Sequence, residues 1–418
     1  MITDLIYRCP LCGCFDWFED NGCRGCQAKV DGMSRTTLTI NGQKQALAHW
    51  YDRVLGFDLV ADPNGEILCS RAVRLSAEAV GGRYLGLGGI RAVHYTRRPL
   101  DTGRLVLSRD RMTFIGNGSR RSILLDSMVS LTIESNTVIV VTREDGPLFF
   151  DFLEESGKKW EDCLRQTLAR HHAPRRIAEF FPRLRFDDSP KKAVPGGQCP
   201  GRVKPLETAD GGREPVFVYG VVRFVGRIIL KKCLPLTIEG MENIPAKGAA
   251  VMLANHSSFL DSILLEAFFP RHIWFMTKNS QYSHPLLFWF LRLARSFPVR
   301  RYTVDPQAVR NAMGIIRRGH LLGIFPEGER NWDGRMLPFK RGTMRLVLAL
   351  GKPLIPVGIS GAYGLMPRWT HSISRLPVTI RIGAPMAIRP IPAPAQTEAD
   401  IDWITGAVRN AIGKLVEP

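Results

Sequence analysis

A chain of 418 residues is too long for one ordinary domain and predicts two or three. Its 57 Lys and Arg against 39 Asp and Glu leave a formal charge of +18, a surface drawn to phosphates on nucleic acid or on an anionic membrane. The first residues, "MITDLIYRCPLC", lack the basic and apolar regions of a secretory signal. The longest apolar runs, "VFVYGVV" and "HPLLFWFL", are interrupted by Arg223, Arg227, Arg292 and Arg295 before reaching the roughly 18 uncharged residues of a spanning helix. No transmembrane helix is expected. Nine cysteines without an export signal point to a reducing compartment, where clustered cysteines bind metal.

Residues 1–32 contain "CPLCGCFDWFEDNGCRGC". Cys9 and Cys12 form one CxxC pair and Cys23 and Cys26 a second, the thiolate set of a tetrahedral structural zinc site. The segment resembles a zinc ribbon. Cys14 is a spare thiol, either bystander or substitute ligand, and iron in a rubredoxin-like site is the alternative metal. Such a module provides stability or a docking surface rather than catalysis.

A short helix is expected around "QKQALAHWYDRVLGF". From about Glu66 to Leu153 short apolar runs alternate with turn signals. "GRLVLSRDRMTFIG" reads as a hairpin about "SRD", and further breaks fall at Ser135-Asn136 and Asp145-Gly146. A helical run, "SGKKWEDCLRQTLARHH", follows with Trp160, Cys163, Leu164 and Leu168 on one face. Residues 50–172, antiparallel strands closed by one amphipathic helix, resemble a PH-like domain of the GRAM type. That resemblance implies lipid-headgroup binding or a scaffold that contacts protein. Residues 183–214, rich in Pro, Gly and charge, cannot bury a core and read as a linker.

Residues 215–418 change to an α/β pattern. "GAAVMLAN", "ARSFPV", "HLLGIF" and "KPLIPVGIS" are expected strands; "FLDSILLEAFF", "HPLLFWFLRLA", "DPQAVRNAMGIIRRG" and "GTMRLVLALG" are expected helices. The candidate polar residues follow strand ends, where α/β domains hold their ligands. His256 ends the first strand, Arg300 and Arg301 follow "SFPV", and Glu327, Gly328, Glu329 and Arg330 follow "GIFP". Residues five apart on a regular helix lie about 140° apart. A facing His256 and Asp261 therefore require the histidine to sit in the turn and the aspartate to reach back from the helix. The alternative makes Asn255 or Ser257 a helix N-cap with an incidental histidine.

"NHSSFLD", "FPVRR", "FPEGERNWDGRMLPFKRG" and "PLIPVGISGAY" occur in that order, and together they resemble the glycerolipid acyltransferases of the lysophosphatidic acid acyltransferase family over roughly residues 215–385. The resemblance implies an enzyme that moves a fatty acyl group from acyl-CoA or acyl-carrier protein to the hydroxyl of a lysophospholipid acceptor. The simplest acceptor is 1-acylglycerol 3-phosphate; an amino-lipid or glycolipid acceptor is the alternative, and a non-enzymatic lipid-binding or assembly protein is a second one. It assigns His256 as general base, Asp261 as its orienting partner, Arg301 to the acceptor phosphate, and Glu327, Gly328 and Arg330 to the glycerol phosphate end. Arg300 competes with Arg301 for that role, Lys340 is a further candidate for a phosphate contact, and Pro356 is assigned to packing around the donor chain. Glu329 stands where the family commonly has Thr or Ser, a departure that bears on acceptor choice. Neither serine of "NHSSFLD" lies in a GxSxG elbow, which favours direct transfer over an acyl-enzyme.

A lysolipid acceptor implies contact with a bilayer. "PVFVYGVVRFVGRIILKK" places Arg223, Arg227 and Lys231 four apart on an apolar helix, the pattern of an interfacial helix at an anionic membrane surface, and "HPLLFWFLRLAR" repeats it. The expected location is the cytoplasmic face of a membrane, peripheral or monotopic. Nothing resembles a nucleic-acid module.

Overall fold

The computed structural model describes residues 2–19, 22–86, 89–179, 185–186 and 216–417, so nearly all of the expected linker, residues 183–214, lies outside the described residues. The chain packs as two compact units. The first takes the described residues of Met1–Val80, Tyr95–Gly201 and Arg301–Val304; the second takes those of Gly81–His94, Arg202–Arg300 and Asp305–Pro418.

The first unit begins with a short antiparallel pair, β1 (Phe18–Glu19) and β2 (Gly22–Cys23), in the cysteine-rich segment. Three strands, β3 (Val30–Met33), β4 (Thr37–Ile40) and β5 (Gln43–Ala46), form an antiparallel sheet that leads into α1 (Leu47–Leu55). The expected helix is thus present, but its first four residues are strand. Trp50, fully buried, fixes α1 on this sheet by donating its indole N–H to the Leu38 carbonyl at 2.8 Å.

The larger sheet contains β6 (Glu66–Cys69), β7 (Val73–Leu85), β8 (Arg91–Ser108), β9 (Arg111–Gly116), β10 (Arg120–Leu124), β11 (Met128–Glu134), β12 (Thr137–Thr142) and β13 (Gly146–Phe152). Its order is β10-β9-β8-β7-β13-β12-β11, with β6 paired to β8. The turns fall at the expected breaks, and Ser135 and Gly146 adopt the positive φ that tight hairpin turns require. Helix α2 (Gly157–His171) starts at Ser156, whose hydroxyl accepts the N–H groups of Lys158 and Lys159. Its Trp160, Cys163, Leu164 and Leu168 are buried, and Trp160 stacks on Phe152 with ring centroids 5.2 Å apart. Strands β14 (Ile177–Glu179) and β15 (Arg185–Phe186) form a short antiparallel pair.

In the second unit, α3 (Val216–Cys233) precedes β16 (Leu236–Glu239), β17 (Ala250–Ala254), α4 (Asp261–Phe268), β18 (Ile273–Lys278), α5 (Pro285–Leu293), β19 (Phe297–Val299), α6 (Pro306–Arg317), β20 (Leu321–Ile324), α7 (Arg341–Leu350), β21 (Leu354–Ser360), α8 (Ala362–Leu365), β22 (Val378–Ile382) and α9 (Glu398–Val416). The sheet runs β16-β22-β21-β17-β20-β18-β19, parallel throughout except where β22 pairs antiparallel with β21. β17 is buried at every position, between β20 and β21. Strands buried on both faces read as continuous apolar runs, as "AVMLA" does. Two apolar clusters cover the faces, one including Ile315, Val347 and Val408, the other including Leu264, Phe268 and Leu365.

Residues from the far ends of β7 and β8 complete one of these clusters. Tyr84, Ile90 and Ala92 are buried in it. The Tyr84 hydroxyl donates to the Ser296 carbonyl at 3.0 Å, and its ring meets those of Tyr282 and Phe288 edge-on at 5.1 and 5.6 Å. Asn311 donates its side-chain N–H to the Arg91 carbonyl at 2.8 Å.

This packing makes residues 81–94 part of the second unit's core. Tyr84→Ala is expected to cost about 3–5 kcal/mol, the range for truncating a large buried aromatic. Tyr84→Phe, which loses only the hydrogen bond, should cost about 1 kcal/mol. Denaturant unfolding of the full chain reads both; an alanine variant as stable as the parent would show that the hairpin end contributes nothing to this core.

Candidate active site

The parallel sheet places the carboxyl ends of β17 and β20 side by side, and the candidate residues leave from those ends. β17 stops at Ala254 and α4 begins at Asp261, so the six residues between form a turn. Asn255 anchors it. Its side chain donates to the Ile359 carbonyl at 2.9 Å and accepts the Ile359 N–H at 2.8 Å, pinning the turn to β21. α4 has Leu260 as its N-cap, without any side-chain capping bond, so neither Asn255 nor Ser257 caps the helix.

Asp261, fully buried, reaches back into the turn. One oxygen, Oδ2, lies 2.9 Å from His256 Nδ1 and accepts the backbone N–H groups of Ser257 at 2.7 Å and Ser258 at 2.8 Å. A carboxylate oxygen that already accepts two N–H bonds takes a third most favourably from Nδ1–H. That leaves Nε2 with the lone pair. The imidazole lies flat on Phe325, centroids 4.1 Å apart and planes inclined by 16°, and the side chain is 12% exposed. The ring is therefore held on one edge and one face.

Both serines are engaged. Ser257 Oγ accepts from the Asn331 side chain at 3.0 Å, and Ser258 Oγ accepts the Leu260 N–H at 3.3 Å, with both residues buried.

Glu327, after β20, has no solvent exposure. Its Oε1 accepts the His256 N–H and its Oε2 the Leu337 N–H, each at 2.7 Å. The Asn331 N–H returns to the His256 carbonyl at 3.0 Å. The two turns are thus laced together by backbone groups of His256 on both sides. Burial pushes the Glu327 carboxyl up to about 8, outweighing the two N–H bonds that favour the ionised form; nearby Asp261 raises it further.

Gly328 has φ +74°, a conformation that side chains rarely adopt, and a Cβ there would lie 2.4 Å from Lys340 Cε. Lys340 is buried. Glu329 forms a buried ion pair with Arg368, whose guanidinium also donates to the Arg330 carbonyl at 3.0 Å and lies 4.3 Å over the Trp332 ring. Arg300 stands opposite Asp305, Nε to Oδ2 3.9 Å. Arg301 belongs with Tyr302 to the first unit. The structure therefore brings His256, Asp261 and Glu327 into one hydrogen-bonded group, with Gly328 and Arg330 on the adjoining turn. Asn331, Phe325 and Arg368 are not marked in the sequence, and Asn255 is marked there only as a possible helix cap; each acts through a fold contact that carries no local signal.

Residues 235–360 match the family described as Acyltransferase. The C-terminal region is an acyltransferase-family domain. A chloroplastic 1-acyl-sn-glycerol-3-phosphate acyltransferase of Brassica napus is 30% identical over 141 residues, 32% of this chain and 40% of that protein. A 1-acyl-sn-glycerol-3-phosphate acyltransferase of Bacillus subtilis is 28% identical over 136 residues, 32% of this chain and 67% of that protein. The chain thus spans about two fifths of the plant relative and two thirds of the bacterial one. Among solved structures, the 1-acyl-sn-glycerophosphate acyltransferase of Thermotoga maritima is 24% identical, covering 49% of this chain and 82% of that one, with a TM-score of 0.40.

The four cysteines form a separate candidate metal centre. The sulfurs of Cys9, Cys12, Cys23 and Cys26 all lie within 4.8 Å of one another, with Cys9–Cys26 at 3.8 Å and Cys12–Cys23 at 3.6 Å. Sulfurs bound at 2.3 Å around a tetrahedral zinc are about 3.8 Å apart. The Gly25 N–H points at Cys23 Sγ from 3.3 Å. Burial raises the Cys23 thiol, but backbone N–H groups of Cys26 and Gly25 and its cysteine neighbours bring it down to about 7. The donor set fits a zinc ion, and these four cysteines could hold one as a structural ligand cage. Cys14 is outside the group.

Folded Glu327 keeps its proton up to about pH 8, whereas the unfolded chain releases it near 4.5. Between those values the folded state binds more protons, so the contribution of this group to stability is full below the lower value and is lost as pH rises through the upper one. Replacing Glu327 by Gln removes that titration while setting an amide NH2 donor against one of the two backbone N–H groups that the carboxyl accepts. The stability difference between parent and variant should therefore shrink from pH 5 to 8; a constant difference across that range would contradict the buried protonated carboxyl.

Proposed function

We propose that the C-terminal unit transfers a fatty acyl group from the thioester of acyl-CoA or acyl-carrier protein to the free hydroxyl of a lysophospholipid, 1-acylglycerol 3-phosphate, giving phosphatidic acid. The observation that carries this reading is the His256–Asp261 contact in the turn after β17, in a domain of the acyltransferase family.

His256 Nε2 takes the acceptor's hydroxyl proton as its oxygen attacks the thioester carbonyl. Asp261 holds Nδ1–H and stabilises the imidazolium so formed. The tetrahedral intermediate collapses, the carbon–sulfur bond breaks, and the thiolate leaves with the proton from Nε2. No enzyme nucleophile is needed, consistent with the engaged hydroxyls of Ser257 and Ser258. Glu327 is a positioning residue: it fixes the backbone on which His256 stands and the turn that presents Gly328 and Arg330. Arg330 suits the acceptor phosphate, since a guanidinium binds a phosphomonoester through two parallel bonds. Glu329, neutralised by Arg368 in a buried pair, favours a second reading in which the acceptor is another lysolipid, an amino-lipid or glycolipid, received by a differently shaped head-group turn.

The lipid acceptor is met at a membrane surface. Among the described residues no helix is long and apolar enough to cross a membrane. α3 instead exposes Val221, Val222, Phe224, Val225, Ile228 and Ile229, and α5 exposes Leu286, Trp289 and Phe290. Arg227 of the expected cationic stripe lies over Phe268, 5.6 Å from its ring, and is exposed beside these apolar side chains. This suits shallow insertion in an anionic interface. The N-terminal region is read as a structural zinc ribbon followed by a PH-like domain of the GRAM type, supported by the sulfur geometry and the antiparallel sheet closed by α2.

With labelled acyl donor and a panel of lysolipids, the purified chain should form a diacyl product. His256→Ala should lower kcat by a factor of about 10² to 10⁴, the usual contribution of a general base. Unchanged turnover would remove the histidine from the mechanism, and a preference for a head group other than phosphate would select the second reading.

A further inference from the structure

We infer that Asp126, His171 and His172 form a second metal site, taking a divalent transition cation such as zinc through one carboxylate oxygen and two imidazole nitrogens. His171 is the last residue of α2 and His172 its C-cap, while Asp126 lies in the helical turn Leu125–Ser127 that leads into β11. One ligand atom from each of the three lies within 4.8 Å of the others.

The separations distinguish a shared ion from a hydrogen bond. Asp126 Oδ1 is 3.4 Å from His171 Nε2 and 3.6 Å from His172 Nδ1. Both exceed the 2.7–3.2 Å of an N–H···O bond. Nitrogen and oxygen ligands held at 2.0–2.2 Å around a tetrahedral ion are about 3.3–3.6 Å apart. Each nitrogen thus stands from that oxygen at the distance that two ligands of a common ion have. The imidazole rings meet edge to face, 83° between planes and 4.7 Å between centroids, so two adjacent residues aim different nitrogens, Nε2 and Nδ1, at the same oxygen.

The surroundings suit a cation. The C-terminal end of α2 carries the negative end of the helix dipole. His172 is buried, its backbone N–H tied to the Leu168 carbonyl at 3.0 Å, which fixes its main chain; Asp126 is 72% exposed and gives an ion access from solvent. Three protein ligands leave a fourth position for water or a small anion. Nitrogen and oxygen donors also separate this site from the thiolate set of the four cysteines, which is softer. A bound ion would clip the end of α2 to the turn before β11, one of the strands that α2 covers.

Cobalt(II) titration of the reduced, chelator-stripped full chain tests this. Two classes of uptake are expected: one with thiolate charge-transfer absorption in the near ultraviolet, and one with visible d–d absorption and no thiolate band. Asp126→Asn, at an exposed position, and the double variant Asp126→Ala, His171→Ala should each abolish the second class and leave the first unchanged. The readout of the second class does not depend on the cysteines or on acyl transfer. Absence of thiolate-free uptake in the parent, or uptake that both variants retain, would overturn the proposal.

Discussion

A single carboxylate oxygen organises the site. Asp261 Oδ2 faces three nitrogens, two from the backbone of Ser257 and Ser258 and one from His256. The backbone bonds close the turn around the carboxylate, and the same oxygen then holds the imidazole on the turn. Because Asp261 is fully buried, leaving any of these donors unmet would expose a desolvated polar group to an apolar surrounding, which costs more than the bond itself gains. The position of the histidine is therefore a consequence of satisfying the turn.

The sheet supplies the second constraint. Parallel pairing of β17 with β20 sets Ala250 opposite Leu321 and carries both strands to the same edge. Glu327 then lies where the His256 N–H can reach it, and a network of backbone donors joins two loops that are 71 residues apart. A buried carboxyl used in this way has two demands on it. Burial favours the protonated form, while two N–H donors favour the ionised one, and burial prevails. Such a group can serve as a fastener whose strength changes across the neutral range.

Much of the site was legible because its key residues are local. The interval between His256 and Asp261 already required a histidine in a turn and an aspartate on the following helix, which the ends of β17 and α4 show. The α/β pattern was legible from apolar runs with the two periods. β18 was missed because the buried half of "IWFMTK" does not alternate, and β16, at the sheet edge, and β22, beside it, because short half-buried alternating runs carry a weak apolar signal. Residues 81–94 could not have been assigned to the second unit from the sequence. Tyr84 meets Ser296 across 212 positions, and such a contact leaves no periodicity or spacing behind. The same holds for Arg368, which becomes relevant only because folding brings it to Glu329. On α3 the four-residue charge spacing identified the arginines but not that exposed Arg227 also lies over the Phe268 ring.

The central claim is that Asp261 presents His256 with its proton on Nδ1 and its lone pair on Nε2. The most direct measurement is the tautomer of that ring, read from two- and three-bond ¹⁵N–¹H couplings in histidine-labelled protein, with His256→Gln to assign the signals. The account predicts a neutral Nδ1–H ring with an unprotonated Nε2. An Nε2–H tautomer would contradict it, because the nitrogen facing the substrate side would then carry the proton it is supposed to accept.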